Sequence, residues 1–283
     1  MDIKTVMVIG AGQMGGGIAQ VMAQVGIKTY LHDMDGDIVA KRISFIEGLL
    51  DKNISKGKMT EEEKSLTMSN LIPSTDINNA KDCDLVIEAI VENIDIKGKV
   101  FTQLDEVCKP EAILATNTSS LPITEIAAFT KRPEKVVGMH FMNPVPVMKL
   151  VEIIRGLATS DETYKVIADL TLRISKVPVE VKDVPGFISN RVLQMMINEA
   201  IHCLYEGVAS VEDIDNVMKL GMNHPMGPLQ LADFIGLDTV LAIMETMQKG
   251  YGDDKYRPSP LLRQYVQAGW LGKKVGRGFY TYE

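Results

Sequence analysis

Five residues, Thr-Val-Met-Val-Ile at 5–9, run directly into Gly10-Ala11-Gly12-Gln13-Met14-Gly15, and few patterns restrict a fold as tightly. The apolar run reads as a buried parallel strand. Ile18, Val21, Met22 and Val25 then recur at helical spacing until Gly26, a natural helix stop. Residues 27–31 form a second strand, and Asp33 lies just beyond it. Strand, glycine turn, helix, strand and acid together predict a doubly wound sheet with a ligand crevice at its carboxyl edge.

Each part of that turn has a physical task. Gly10 permits the tight bend, Gly12 lets backbone approach a pyrophosphate, and Gly15 allows the helix to pack close to the strand. The N–H groups at the helix start, around Gln13 and Met14, face the phosphates with the positive end of the helix dipole. Asp33 would accept hydrogen bonds from ribose hydroxyls. A carboxylate there repels a 2′-phosphate, and no arginine follows in His32-Asp33-Met34-Asp35, so NAD is expected rather than NADP.

Downstream, residues 37–69 read as helical, with Ile38, Ile43, Ile46, Leu49 and Leu50 on one face and Gly57 as a break. Lys52, Lys56 and Lys58 gather at that break. They are either a solvated helix end offsetting the dipole or a contact for a phosphorylated ligand such as a coenzyme A thioester. Residues 84–89 and 113–116 are further buried strands with a helix over 94–107 between them, the alternation of a parallel sheet. Two polar clusters follow those strands: Glu92 and Asn93 with Lys97, and Asn117-Thr118-Ser119-Ser120. Ser119 or Ser120 either caps the helix after Pro122 or serves chemistry.

The strand at 135–139 delivers His140, in His-Phe-Met-Asn-Pro-Val-Pro-Val-Met-Lys-Leu-Val-Glu152. An imidazole titrates near ~6.5 and can give or take a proton when a neighbour holds its tautomer. Pro144 and Pro146 exclude a regular helix between His140 and Glu152. An extended run that doubles back brings the two together; otherwise His140 is a buried strand-end residue and Glu152 a solvated charge. Residues 179–182 make a last strand, and Pro185-Gly186 marks the change to helices over 187–205, 211–220, 228–235, 238–248 and 261–268. Residues 1–184 and 185–283 are therefore expected as two domains, an NAD-binding α/β domain and an all-helical substrate and dimerisation domain. The first long helix is apolar on more than one side, which predicts burial in the core or against a second copy. The methionines of this region are core filler or an adaptable lining for an acyl chain.

A net charge of −7 disfavours nucleic acid and anionic membrane as partners. No apolar run approaches the roughly 20 residues that span a bilayer. Three widely spaced cysteines suggest reduced thiols in a cytoplasmic protein, with no metal site expected. The first strand begins at residue 5, so no leader peptide is expected.

Taken together, the glycine fingerprint with Asp33, the Asn117 to Ser120 cluster, the stretch from His140 to Glu152, Pro185-Gly186-Phe187-Ile188-Ser189-Asn190-Arg191 and the Gly-Lys-Lys-Val-Gly-Arg-Gly-Phe-Tyr tail resemble the L-3-hydroxyacyl-CoA dehydrogenase family. The likeness runs from end to end and is strongest to short-chain bacterial members. It implies a Rossmann-type doubly wound parallel sheet followed by a helical domain, and interconversion of acetoacetyl-CoA and (S)-3-hydroxybutyryl-CoA. It further implies His140 as general acid/base, Glu152 as its support, and Ser119 and Asn190 as hydrogen-bonding groups at the substrate oxygen. Contacts to the cofactor fall on Glu92, Lys97, Asn117, Asn143 and Lys274, and contacts to coenzyme A on Lys52 and Lys56. Domain closure over the substrate and a homodimer through the helical domain are expected. Two rival readings stay open: a dehydrogenase of free hydroxy or sugar acids, and a catalytically silent NAD-binding, crystallin-like protein.

Overall fold

The computed structural model describes residues 1–282 as two compact units, Met1–Asp183 and the chain from Val184 onward. In the first, strands and helices alternate: β1 (Thr5–Ile9), α1 (Gln13–Gln24), β2 (Lys28–His32), α2 (Gly36–Ser55), α3 (Glu61–Asn70), β3 (Leu71–Ser74), β4 (Leu85–Glu88), α4 (Ile94–Val107), β5 (Ile113–Thr116), α5 (Ile123–Ala127), β6 (Val136–Phe141), β7 (Leu150–Arg155), α6 (Asp161–Arg173) and β8 (Val177–Lys182). They form one eight-stranded sheet in the order β3-β2-β1-β4-β5-β6-β7-β8. The order reverses between β1 and β4, which opens a crevice at the carboxyl ends of those strands.

The sheet departs from a wholly parallel one at a single junction. β7 runs antiparallel to β6, and β8 is parallel to β7. The connection from Phe141 to Leu150 is too short for the helical crossover that parallel strands need, so it can only turn back. β3 is short and escapes a hydrophobic-pattern reading because Pro73 interrupts it, and it lies at the sheet edge where a missing N–H is tolerated.

Local capping explains the helix boundaries. The region 37–69 breaks at Gly57, as its sequence suggests: Gly57 takes φ +65 and Thr60 starts α3 afresh with a reciprocal capping box to Glu63. Asn93 caps α4 through Ile96 N–H. The first N–H groups of α5 are capped by Asp183, which accepts from Ile123 and Thr124 at 3.0 and 2.7 Å, while the Ser120 hydroxyl donates to Glu92 instead. Val6, Val8, Ile18, Met22, Leu31, Leu85, Ile87, Met139, Val151 and Ile153 fill the core around the sheet. Each such side chain contributes about 1.5–3 kcal/mol by leaving water.

Among the described residues the second unit has five α-helices, α7 (Ser189–Tyr205), α8 (Val211–Asn216), α9 (Pro228–Ile235), α10 (Leu237–Tyr251) and α11 (Pro260–Gln267). α7 begins two residues later than periodicity suggests, since Gly186 and Phe187 both take positive φ and form a turn. The segment 211–220 is likewise not one α-helix; it widens into a π-helical turn over Val217–Gly221. Ile197, Ile201, Leu229, Leu237, Val240 and Leu262 form one core, and Met244, Met247 and Tyr256 a smaller one, so these two methionines are packing residues. Buried Asp233 draws in the tail by accepting from Phe279 N–H, Tyr280 N–H and Tyr282 O–H. No helix among the described residues is long and apolar enough to cross a membrane.

Candidate active site

At the centre of the sheet, the turn after β1 is held by a hydrogen bond from Gly10 N–H to His32 O at 2.8 Å. Gly10 takes φ +100, and a Cβ on Gly15 would lie 1.8 Å from the Gly10 carbonyl oxygen, so the helix can approach the strand only without side chains there. Gly12 is exposed, and a Cβ built on it meets nothing within 4 Å. The N-terminus of α1 carries no side-chain cap, which leaves its N–H groups for an anion. Asp33 accepts from Ala11 N–H at 3.0 Å, tying the acid at the end of β2 to the glycine turn. Its other oxygen accepts from Asp35 N–H at 3.3 Å, and a carboxylate has lone pairs beyond these two, so ribose hydroxyls can still bind. An uncapped helix start, an open glycine and a fixed acid fit a dinucleotide.

From the other flank, Gln13 Nε2 donates to Asn143 Oδ1 at 3.0 Å, joining the glycine turn to the loop after β6. That loop is secured by Lys176, a buried ammonium whose Nζ donates to the carbonyls of Val145 and Met148, each at 2.6 Å. Burial lowers the Lys176 pKa. Nothing in the sequence around Lys176 signals this role, because its partners are backbone atoms about thirty residues away.

Antiparallel pairing of β6 with β7 puts His140 directly opposite Glu152. Their side chains meet, with His140 Nδ1 and Glu152 Oε2 2.8 Å apart, and the two residues are 7% and 1% exposed. Glu152 is therefore a buried partner, not a solvated charge. A carboxylate at Nδ1 favours the tautomer that carries its proton on that nitrogen.

Next to β6, β5 ends in the polar turn. Asn117 Oδ1 accepts from Phe141 N–H at 2.9 Å, so this asparagine ties the turn to the strand carrying His140. Glu92 Oε1 accepts from Thr118 Oγ1 at 2.6 Å, Ser119 N–H at 2.9 Å, Ser120 N–H at 3.0 Å and Ser120 Oγ at 3.1 Å. Burial pushes the Glu92 carboxyl upward, but the Lys97 charge and these hydrogen bonds outweigh it and hold its pKa below the usual value. Lys97 is 1% exposed, with Nζ 2.6 Å from Glu88 Oε1 and 3.4 Å from Glu92 Oε2. Glu88 escaped the reading of the sequence as a functional residue, although an acid at the end of a buried strand was a signal.

The first unit thus gathers Gly10, Gly12, Gln13, Met14, Gly15, Asp33, Glu92, Lys97, Asn117, Ser119, His140, Asn143 and Glu152 around the carboxyl edge of one sheet and the loops beyond it. Lys52 and Lys56 are exposed at the far end of α2. Asn190 and Lys274 belong to the second unit, Asn190 in the first turn of α7 and Lys274 paired with both oxygens of Asp238 at 2.6 Å.

Two family models cover nearly the whole chain: "3-hydroxyacyl-CoA dehydrogenase, NAD binding domain" over residues 5–184, and "3-hydroxyacyl-CoA dehydrogenase, C-terminal domain" over 186–282. The chain is 59% identical over 283 residues to the Bacillus subtilis protein named "Probable 3-hydroxybutyryl-CoA dehydrogenase", covering 100% of this chain and 99% of that one. It is 52% identical over 280 residues to the 3-hydroxybutyryl-CoA dehydrogenase of Bradyrhizobium diazoefficiens, with 99% and 96% covered. Its fold superposes on the crystal structure of (S)-3-hydroxybutyryl-CoA dehydrogenase from Ralstonia eutropha with a TM-score of 0.98, at 49% identity and full coverage of both chains. With its dinucleotide cradle and its buried His–Glu pair, this chain belongs to the 3-hydroxyacyl-CoA dehydrogenase family and uses NAD(H).

Proposed function

We propose that this protein catalyses reversible hydride transfer between NAD(H) and C3 of a short 3-hydroxyacyl-CoA, with acetoacetyl-CoA and (S)-3-hydroxybutyryl-CoA as the substrate pair. The buried His140 and Glu152 pair at 2.8 Å carries the reading, because it is a proton relay set beside a dinucleotide cradle. Bound NADH supplies the hydride. As charge grows on the C3 oxygen in the reducing direction, His140 donates a proton to it from Nε2, and Glu152 holds the ring in place. Ser119, on the turn gathered by Glu92, adds a hydrogen bond to that oxygen, and Asn190 supplies another donor. Oxidation reverses each transfer, with His140 as the base.

Asp33 favours NADH over NADPH by its charge, while Glu92, Lys97, Asn143 and Lys274 serve the cofactor and Lys52 and Lys56 the coenzyme A moiety. Ser119, His140, Glu152 and Asn190 are all present in the motifs that carry the family resemblance, which weighs against a silent structural role. A cytoplasmic homodimer is the finer reading. Three free thiols support the first part, and Val192, 66% exposed on the broadly apolar α7, supports the second.

The test is loss of NADH absorbance with acetoacetyl-CoA, beside free acetoacetate and beside NADPH. Rapid oxidation with the thioester and NADH alone is expected. Activity on free acetoacetate, or none on either compound in a protein that binds NADH, would overturn the assignment.

A further inference from the structure

The ion pair beneath the polar turn is an unusual thing to bury. Glu88 and Lys97 are 0% and 1% exposed, and an isolated charge there would be severely destabilised, so the arrangement must be held closely. Glu88 closes β4 between Ile9 of β1 and Thr116 of β5, at the point where the strand order reverses. Its oxygens divide their work. Oε1 accepts from Lys97 Nζ at 2.6 Å and Ile90 N–H at 2.7 Å, and Oε2 accepts from Thr116 Oγ1 at 2.7 Å.

Two routes lead from this carboxylate to the turn bearing Ser119. Along the first, Glu88 seats the Lys97 ammonium, which stands 3.4 Å from Glu92 Oε2, and Oε1 of Glu92 collects the donors of residues 118–120. Along the second, the Thr116 hydroxyl that donates to Glu88 accepts from Thr118 N–H at 3.2 Å. Lys97 is much closer to Glu88 than to Glu92, so Glu88 is the anchor and Glu92 the dependent member.

We infer that Glu88 is a positioning residue for the reaction: through Lys97 and Glu92 on one side and Thr116 on the other, it fixes the 117–121 turn and so the place of Ser119. The inference rests on the proposed dehydrogenase activity for its kinetic consequence but not for its structural one. An amide at position 88 keeps the shape and loses the charge. Lys97 then has only Glu92 as a carboxylate partner and draws it away from the turn.

The experiment compares wild type with Glu88→Gln by hydrogen exchange of the 117–121 amides and by steady-state reduction of acetoacetyl-CoA. Faster exchange confined to that turn is expected, with kcat lower by about tenfold to a hundredfold and KM for the thioester nearly unchanged, as for a misplaced catalytic group. Thr116→Val, which cuts the second route and leaves every charge paired, should loosen the same amides more mildly; it decides the matter if Glu88→Gln does not fold. Wild-type exchange at 117–121 in a folded Glu88→Gln, or in Thr116→Val when that variant must decide, overturns the inference. An inactive wild type overturns the proposed substrate instead, and the exchange data still decide the role of Glu88.

Discussion

The two halves of the sheet edge are built by different means. On the β1 and β2 side, the cradle is backbone: Gly10, Gly12 and Gly15 within one turn, a bare helix terminus and a single acid at the next strand end. On the β6 and β7 side, the site is made of side chains, His140 and Glu152, that meet only because two strands pair in one register. The first is coded within about thirty residues, with the hydrogen bond from Gln13 to Asn143 as its long-range tie. The second requires a chain reversal, and a one-residue slip in register would turn Glu152 to the other face of the sheet.

If that division is real, variants on the two sides must fail differently. Replacing His140 by Ala should lower kcat by about 10²- to 10⁴-fold with the Kd for NADH within a few-fold of wild type, measured by steady-state rates and by NADH fluorescence titration. Glu152→Gln should cost somewhat less, about a hundredfold in kcat, again with NADH binding preserved. Loss of NADH affinity in either variant would blur the comparison. Gly15→Ala should do the opposite. Its Cβ would fall 1.8 Å from the Gly10 carbonyl oxygen, so helix and strand must part, at a cost of about 1–3 kcal/mol in thermal unfolding and a clear loss of NADH affinity.

A smaller effect sharpens the cradle side. Asp33→Ala removes the charge that repels a 2′-phosphate, and the preference for NADH over NADPH, as a ratio of kcat/KM values, should fall by about tenfold. An unchanged ratio would move cofactor choice to another residue. The smallest effect is on pH. Glu92 and Asp84 are both held below their ordinary carboxylate values. For each, burial pushes upward, and the outweighing contacts are the Lys97 charge and turn donors for Glu92, and Lys109 with the Lys4 and Thr5 amides for Asp84. Both groups bind protons less readily when folded, so their stabilisation is complete above the unfolded values of 4.5 and 3.8 and fades as pH falls through the depressed ones. Urea midpoints taken from pH 6 down to pH 3 should fall mainly below pH 4.5, and Glu92→Gln should flatten that fall.

The legibility of these parts follows their range along the chain. Strand 5–9, the glycine turn, Asp33 and the helix over 94–107 could be read directly, since periodicity and glycine geometry act over a few residues. Pro144 and Pro146 excluded a helix between His140 and Glu152 and so left the reversal open as one of two readings. β3 was missed because Pro73 broke its pattern, and Asp183 as the cap of α5 could not be read because it reaches the helix across about sixty residues. In the second unit the helix over 211–220 was read, and Val211–Asn216 is α-helical as expected, but the π-helical extension over Val217–Gly221 left no mark of its own in the pattern.

What the sequence by itself determined is therefore the alternating first unit, the dinucleotide turn, the choice of NAD and the residues capable of moving a proton. What only the tertiary structure decided is which charges share a partner: Glu88 with Lys97, Lys176 with two carbonyls, Asp183 with a distant helix start. The reason is physical. Backbone preference is a property of neighbours in sequence, whereas a buried charge is stable only beside groups within about 3 Å in space, and folding alone selects those groups.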